Sequence, residues 1–273
     1  HGERKGVTPA TRMGVEQIFR KAFSEASAYQ KAWDNYNNGK TKIPPAYSLR
    51  KETIAGILNG DIMIHCHSYR ADEILMLMGV LKDFGVDKIC FQHVNEGFKV
   101  APELADFGAY ASVFSDWWAY KFEVYYSTAY NASILMKHGV VTSINSDSRE
   151  LIRHLYHEAA KTQKYGGLSD EDALKLITIN PAIQLGIADR VGSLEEGKEA
   201  DVVIFNNHTL SIYAVAQKTI VDGVIRFDID TDESDQRIDI DPNVDIPAFI
   251  ESSDHHHEND GCLQDVFEFL FDH

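Results

Sequence analysis

The stretch Asp61-Ile62-Met63-Ile64-His65-Cys66-His67, the apolar run at 71–84 closed by Gly85, and then Lys88-Ile89-Cys90-Phe91-Gln92-His93 decide the reading of the fold. A short apolar segment reads as a buried strand, and a longer one stopped by Gly reads as a helix. Strand, helix and strand in this order call for parallel pairing, because a parallel connection needs a long crossover. A histidine closes the apolar run of each strand, His65 in the first and His93 in the second.

The rhythm extends in both directions. Upstream, residues 15–33 read as a helix with Ile18, Ala22, Phe23 and Ala26 on one stripe. Residues 35–45 form a polar connection, and 49–58 a second helix stopped by Asn59-Gly60. Downstream, 102–107 reads as a short helix, 109–114 as a strand, 126–138 as a helix ending on His138, 140–145 as a strand and 150–164 as a helix. Ser169 caps a further helix, with Asp172 completing a capping box, and that helix turns Ala173, Leu176 and Ile177 towards a core. After Gly197 the alternation stops. Residues 201–205 read as a strand and 214–227 as two strands about Asp222-Gly223.

Charge divides the chain differently. The net charge is −16 over 273 residues, and the segment from Asp228 onward holds 15 acidic residues against the single basic Arg237. The rest is nearly neutral. A polyanionic tail repels phosphates, so nucleic acid is excluded as a partner. Within the tail, Leu263, Val266, Phe267 and Leu270 follow the spacing of an amphipathic helix, and His255-His256-His257 read as an exposed loop. Asp228, Asp230 and Asp232 imitate the opening of a calcium loop, but Glu233 stands where Gly is needed and Asp239 where Glu is expected. Cys66, Cys90 and Cys262 are too few and too scattered for a disulfide framework. No run of 18 apolar residues spans a membrane, and residues 1–14 lack the basic start and apolar stretch of a signal peptide. The chain does not begin with Met, so a removed upstream segment is expected, and the compartment stays open.

Chemistry is expected where strands end. His65 and His93 lie 28 residues apart, and Asp147 follows 54 residues later. A (β/α)8 barrel repeats about every 31 residues, which puts the two histidines on successive strands and Asp147 two strands on. Strand C-terminal ends converge on one mouth of such a barrel. One histidine at a strand end is ordinarily a hydrogen-bonded structural group; it is the matched spacing of three groups that points to a site. Two imidazoles and a carboxylate suit a divalent metal such as zinc or iron, and Asp147 would both bind it and take the proton of a metal-activated water. His67 is either a group behind these ligands or simply the next side chain along. His154 and His157, at i and i+3, read as a solvated helix face. Trp117-Trp118-Ala119-Tyr120-Lys121 reads equally as a pocket wall or as core.

Three stretches carry a resemblance. Asn180-Pro181-Ala182, then Leu185-Gly186-Ile187, then the run from Gly192 to Val203 resemble the C-terminal signature of amidohydrolase-superfamily metal-dependent hydrolases. Ile64 to Ile74 resembles the fifth-strand motif of the imidazolonepropionase-like branch, and Ser146-Asp147-Ser148 the eighth-strand aspartate motif. The resemblance implies an α/β fold: the second half of a TIM-like (β/α)8 barrel at 1–190, part of a small flanking β-sandwich at 191–228, and an acidic tail at 229–273. It implies that His65 is a metal ligand, His93 a ligand or a polariser of the scissile carbonyl, and Asp147 a ligand and general base. Arg70 and Asp72 either orient the substrate or brace His65, and Tyr120 and His67 join Arg70 as substrate contacts.

The implied activity is metal-dependent hydrolysis of a C–N bond in a small amide or cyclic amide, with zinc as cofactor and iron or manganese as alternatives; a homo-oligomer is compatible with it. The family's first-strand His-x-His and its fourth-strand lysine are absent, and His65-Cys66-His67 has that spelling only about 80 residues before Asp147. An N-terminal half on the same or another chain is therefore expected. A non-catalytic scaffold of the same fold and one half of a split enzyme are the alternatives.

Overall fold

The computed structural model describes residues 9, 11–118 and 121–232. They fall into two compact units, one formed by residues up to 115 together with 130–145, the other by 116–129 together with the chain from 146 onward.

The first unit opens on α1 (Arg12–Asn37), whose start is set by the Thr11 hydroxyl accepting from the Gly14 N–H at 3.1 Å. The helix is longer than the apolar stripe suggested, because nothing breaks it before Gly39, and it buries Phe23, Ala26 and Tyr29. Next comes α2 (Leu49–Leu58), capped by Ser48, with the bounds read from the sequence. Four strands follow: β1 (Ile64–Ser68), β2 (Ile89–His93), β3 (Tyr110–Val113) and β4 (Thr142–Ile144). Between them lie α3 (Ala71–Asp83), α4 (Ala101–Phe107) and α5 (Asn131–Lys137). The strands form one parallel sheet in the order β1-β2-β3-β4. Among the described residues β1 pairs only with β2 and β4 only with β3, so this is a β/α sheet consistent with part of a TIM-like barrel rather than a closed one.

Side chains alternate across the sheet, and the two faces differ in kind. One face carries Ile89, Phe91, Ala111, Val113, Thr142 and Ile144, all under 5% exposed. α3 buries Ile74, Leu77, Met78, Val80 and Leu81, at about 1.5–3 kcal/mol for each large side chain fully buried. The opposite face carries His65 and His67 on β1, Cys90 and Gln92 on β2, Ser112 on β3 and Ser143 on β4, in register as His65↔Cys90, His67↔Gln92↔Ser112↔Ser143.

Two further helices depart from expectation. The helix expected at 126–138 reduces to α5, preceded by a single 3-10 turn at Phe122–Val124. Phe122, Tyr125 and Tyr126 are exposed, so the segment ahead of Asn131 has no apolar stripe to hold it against a core. His138 caps α5 as read, its N–H donating to Ile134 and Leu135. The helix expected at 150–164 begins as a 3-10 turn at Leu151–His154, where Ser148 Oγ accepts from the N–H groups of Glu150 and Leu151.

In the second unit, α6 (Leu155–Gly166), α7 (Asp170–Lys175) and α8 (Ile179–Leu185) precede an antiparallel sheet of β5 (Val202–Phe205), β6 (Ala216–Val221) and β7 (Val224–Asp228). Ser169 caps α7 as expected, accepting from Asp172 N–H, and Ala159, Ala173 and Leu210 form a small core with Ala160, Leu174 and Ile177 packed on it. The β6–β7 turn places Asp222 at φ 52° and Gly223 at φ 73°, the left-handed pair a two-residue hairpin needs. Gly192 sits at φ 94°, where a Cβ would lie 2.8 Å from that of Ala182 and 3.0 Å from the Ile179 Cα, so the motif has no room for a side chain there.

His157 is not on a solvated face. Its ring stacks on His154 at 5.5 Å and meets Tyr156 at 4.3 Å, and its Nε2 is buried with no hydrogen-bond partner among the described residues. Asp228 pairs with Lys218 and accepts from Asp230 N–H, so it is already engaged within the strand end. Cys66 and Cys90 are free thiols. The acidic tail beyond 232, with Glu233, Asp239, His255–His257, Cys262 and the apolar spacing from Leu263, lies outside the described residues. No helix among the described residues is long and apolar enough to cross a membrane.

Candidate functional site

The polar face of the parallel sheet and the turns beyond its C-terminal end hold the expected groups of the first unit. His65 and His67 leave β1 two residues apart on that face, both exposed. His93 ends β2 and is 3% exposed. Its ring lies between Tyr69, stacked at 5.0 Å, and Phe114, stacked at 4.7 Å. Nε2 of His93 is 2.8 Å from Nδ1 of His67, while Nδ1 of His65 is 3.0 Å from the amide nitrogen of Gln92.

Backbone geometry explains how a residue in register with Ser68 reaches His67. His93 has φ 73° and Val94 φ 40°, two successive left-handed residues of which neither is Gly. A β-branched residue there is an outlier, and each such position costs about 1–3 kcal/mol. Asp147, two residues beyond Asn145 and exposed, is left-handed as well at φ 42°. Three of the four left-handed non-glycine residues described are thus two expected site residues and the neighbour of one.

Surrounding contacts hold the strained turn. Val94 N–H donates to Ser68 O at 2.8 Å, and Glu96 N–H to Tyr69 O at 3.0 Å. Glu96, 9% exposed, accepts from Ala71 N–H at the start of α3 and pairs with Lys99 at 2.8 Å. Asn131, buried at the start of α5, donates to Val94 O at 2.7 Å and accepts from Phe98 N–H at 2.9 Å. Gly97 must stay small, since a Cβ would come within 2.6 Å of Val94 Cγ1. Sequence reading missed Glu96, Asn131 and Gln92. Their one legible signal is polarity close to the strand end or, for Asn131, at a helix start.

Arg70 forks onto both carboxylate oxygens of Asp72, at 2.9 and 3.0 Å, and this hydrogen bonding holds the Asp72 carboxyl below its usual range. On β2, burial pushes the Cys90 thiol up to about 12, so it is neutral at physiological pH.

In the second unit, Ser146 and Ser148 flank Asp147, with Ser148 N–H donating to Ser146 Oγ at 3.4 Å. Trp118 is 52% exposed, which removes it from the core reading. The segment that carries it is tied to α6 by Asp116 and Lys161 at 2.9 Å, with the buried Glu158 on the same ammonium at 2.8 Å. Ala119 and Tyr120 lie outside the described residues.

The donor types fit a divalent metal. Imidazole nitrogen and carboxylate oxygen suit zinc, iron or manganese. Two ligands on tetrahedral zinc stand about 3.3 Å apart, half an ångström more than the His67–His93 nitrogens. Among the described residues no group of three or more His, Cys, Asp or Glu is already gathered as a metal cage.

Known proteins resemble this chain over much of its length. The Amidohydrolase family model matches residues 122–228. The amidohydrolase tasK of Hapsidospora irregularis is 28% identical over 241 residues, covering 84% of this chain and 24% of its own length. The imidazolonepropionase of Thermoplasma volcanium is 36% identical over 78 residues, 28% of this chain and 19% of its own. A solved amidohydrolase from Thermotoga maritima matches with a TM-score of 0.74 at 30% identity, over 81% of this chain and 57% of that one. The resemblance to the amidohydrolase superfamily, imidazolonepropionase among its members, is borne out. The chain spans about a quarter of tasK and little more than half of the Thermotoga protein.

Proposed function

We propose that the protein acts as a metal-dependent amidohydrolase, cleaving a C–N bond of a small amide or cyclic amide. The observation that carries this reading is His93: buried at a parallel-strand C-terminus, held in a strained backbone and aimed at a second imidazole 2.8 Å away. Similarity to amidohydrolases supports it.

His65, His93 and Asp147 would hold the cation, zinc first, with iron or manganese as alternatives. The chemistry such a cation would supply is a water acidic enough to attack near neutral pH. Asp147, an exposed carboxylate on a turn, takes the water's proton and returns it to the leaving nitrogen. His93 is fixed by Tyr69 and Phe114, so as a ligand its ring would meet the cation without rearrangement. His67, Arg70 and Tyr120 would contact the substrate, Arg70 with its guanidinium already oriented by Asp72.

The test is metal analysis of the purified protein, followed by hydrolysis of a panel of N-acyl amino acids, dipeptides and cyclic amides before and after chelation. Bound zinc, iron or manganese together with chelator-sensitive turnover is the expected result. Absence of both would leave the non-catalytic scaffold.

A further inference from the structure

Gln92 sits one strand over from His65, on the same face of the sheet. Its amide nitrogen is 3.0 Å from His65 Nδ1 and 3.3 Å from the thiol of Cys90. The register pairs His65 with Cys90, so Gln92 reaches back along its own strand to meet the ring diagonally. The His65 ring is exposed and makes no other hydrogen bond among the described residues, whereas Gln92 is half-buried and anchored in β2. The exposed group is therefore held by the better-fixed one.

We propose that Gln92 is the positioning residue for His65, holding its ring through Nδ1 and so presenting Nε2 as the nitrogen that meets a cation. An amide has a donor on one side and an acceptor on the other. With its nitrogen against Nδ1, Gln92 donates and the ring proton lies on Nε2. With the amide turned over at the same place, Oε1 accepts from Nδ1–H and Nε2 is left with a bare lone pair. No proton is gained or lost; the ring exchanges one neutral tautomer for the other. Groups that engage the second nitrogen of a metal-binding histidine fix its tautomer and orientation, and losing one lowers metal affinity about 10–100-fold. The inference rests on His65 being a ligand, as proposed above.

Two measurements on the 273-residue chain decide it. Nitrogen-15 NMR of labelled histidines, with the His65 signal assigned from its loss in His65→Gln, reads the tautomer without any metal. A single, hydrogen-bonded Nδ1 is expected in the wild type, and in Gln92→Leu the mixture of a free imidazole. The same His65 signal in both proteins overturns the contact. Zinc affinity, measured by competition with a chromophoric chelator, should fall about 10–100-fold in Gln92→Leu. It should stay within a few-fold in Gln92→Glu, which keeps an acceptor at that place. Gln92→Leu should have no further effect in a His65→Ala background, whereas a merely structural defect would add to it. Wild-type zinc binding that Gln92→Leu leaves unchanged overturns the role of Gln92 and leaves the proposed function standing. Failure of the wild type to bind zinc, iron or manganese overturns the proposed function, and the NMR comparison still decides the contact.

Discussion

Nε2 of His93 and Nδ1 of His67 meet at 2.8 Å across two neighbouring parallel strands. Simple alternation would not bring them together, since His93 is in register with Ser68 and His67 with Gln92. The left-handed backbone at His93 swings its ring to the His67 side.

His67→Ala removes that partner from a ring that is 3% exposed. Loss of a buried hydrogen bond should cost about 1–3 kcal/mol. Urea denaturation should show a lower midpoint with an unchanged slope, because the folded state stays as compact.

Asp147→Asn should lower turnover about 10²–10⁴-fold, the usual worth of a positioned acid–base group. Asp147 is exposed, so stability should stay within about 0.5 kcal/mol of the wild type. Undiminished turnover in a folded variant would take Asp147 out of the mechanism.

Asn131→Leu strips the Val94 carbonyl and the Phe98 N–H of their partner at once. One buried and one partly buried group left unsatisfied should together cost about 2–4 kcal/mol. Hydrogen exchange should speed up at residues 94–99 more than in α3, since the damage falls on that turn.

Stability should also depend on His157. Burial, and then the nearness of His154, hold its pKa below the ordinary 6.5. The folded state therefore resists a proton that the unfolded chain accepts. Stability is complete above pH 6.5 and falls as pH drops from there towards the folded value, below which the loss levels off. The urea midpoint should be lower at pH 5.5 than at pH 7.5, and His157→Phe should flatten that difference. An equal pH dependence in the variant would assign the effect to other groups.

Much of the sheet was legible because its strands are short apolar runs between Gly-bounded helices, as at Ile89–His93 and Ala71–Asp83. α8 was not, because Asn180 and Gln184 are buried polar residues on a seven-residue helix and break its apolar period. His65, His93 and Asp147 were picked out by their places at strand ends and by their spacing. Their spacing carries no information on backbone handedness, so neither the turn of His93 towards His67 nor the strain at Val94 could be read. Asn131 lies 37 residues from the carbonyl it clamps, a contact that only the folded chain creates. Gln92 read as one more strand residue, because its partner sits on the adjacent strand 27 positions away.

The discomfort at positions 93 and 94 has a bearing on how this protein tolerates change. Val94 is wholly enclosed yet bent into a conformation its side chain disfavours, and the tether from Asn131 keeps it there. Selection for heat resistance alone would reward variants that let this bend relax, and each of them would loosen the imidazole beside it. Activity and robustness are set against one another at a single peptide unit.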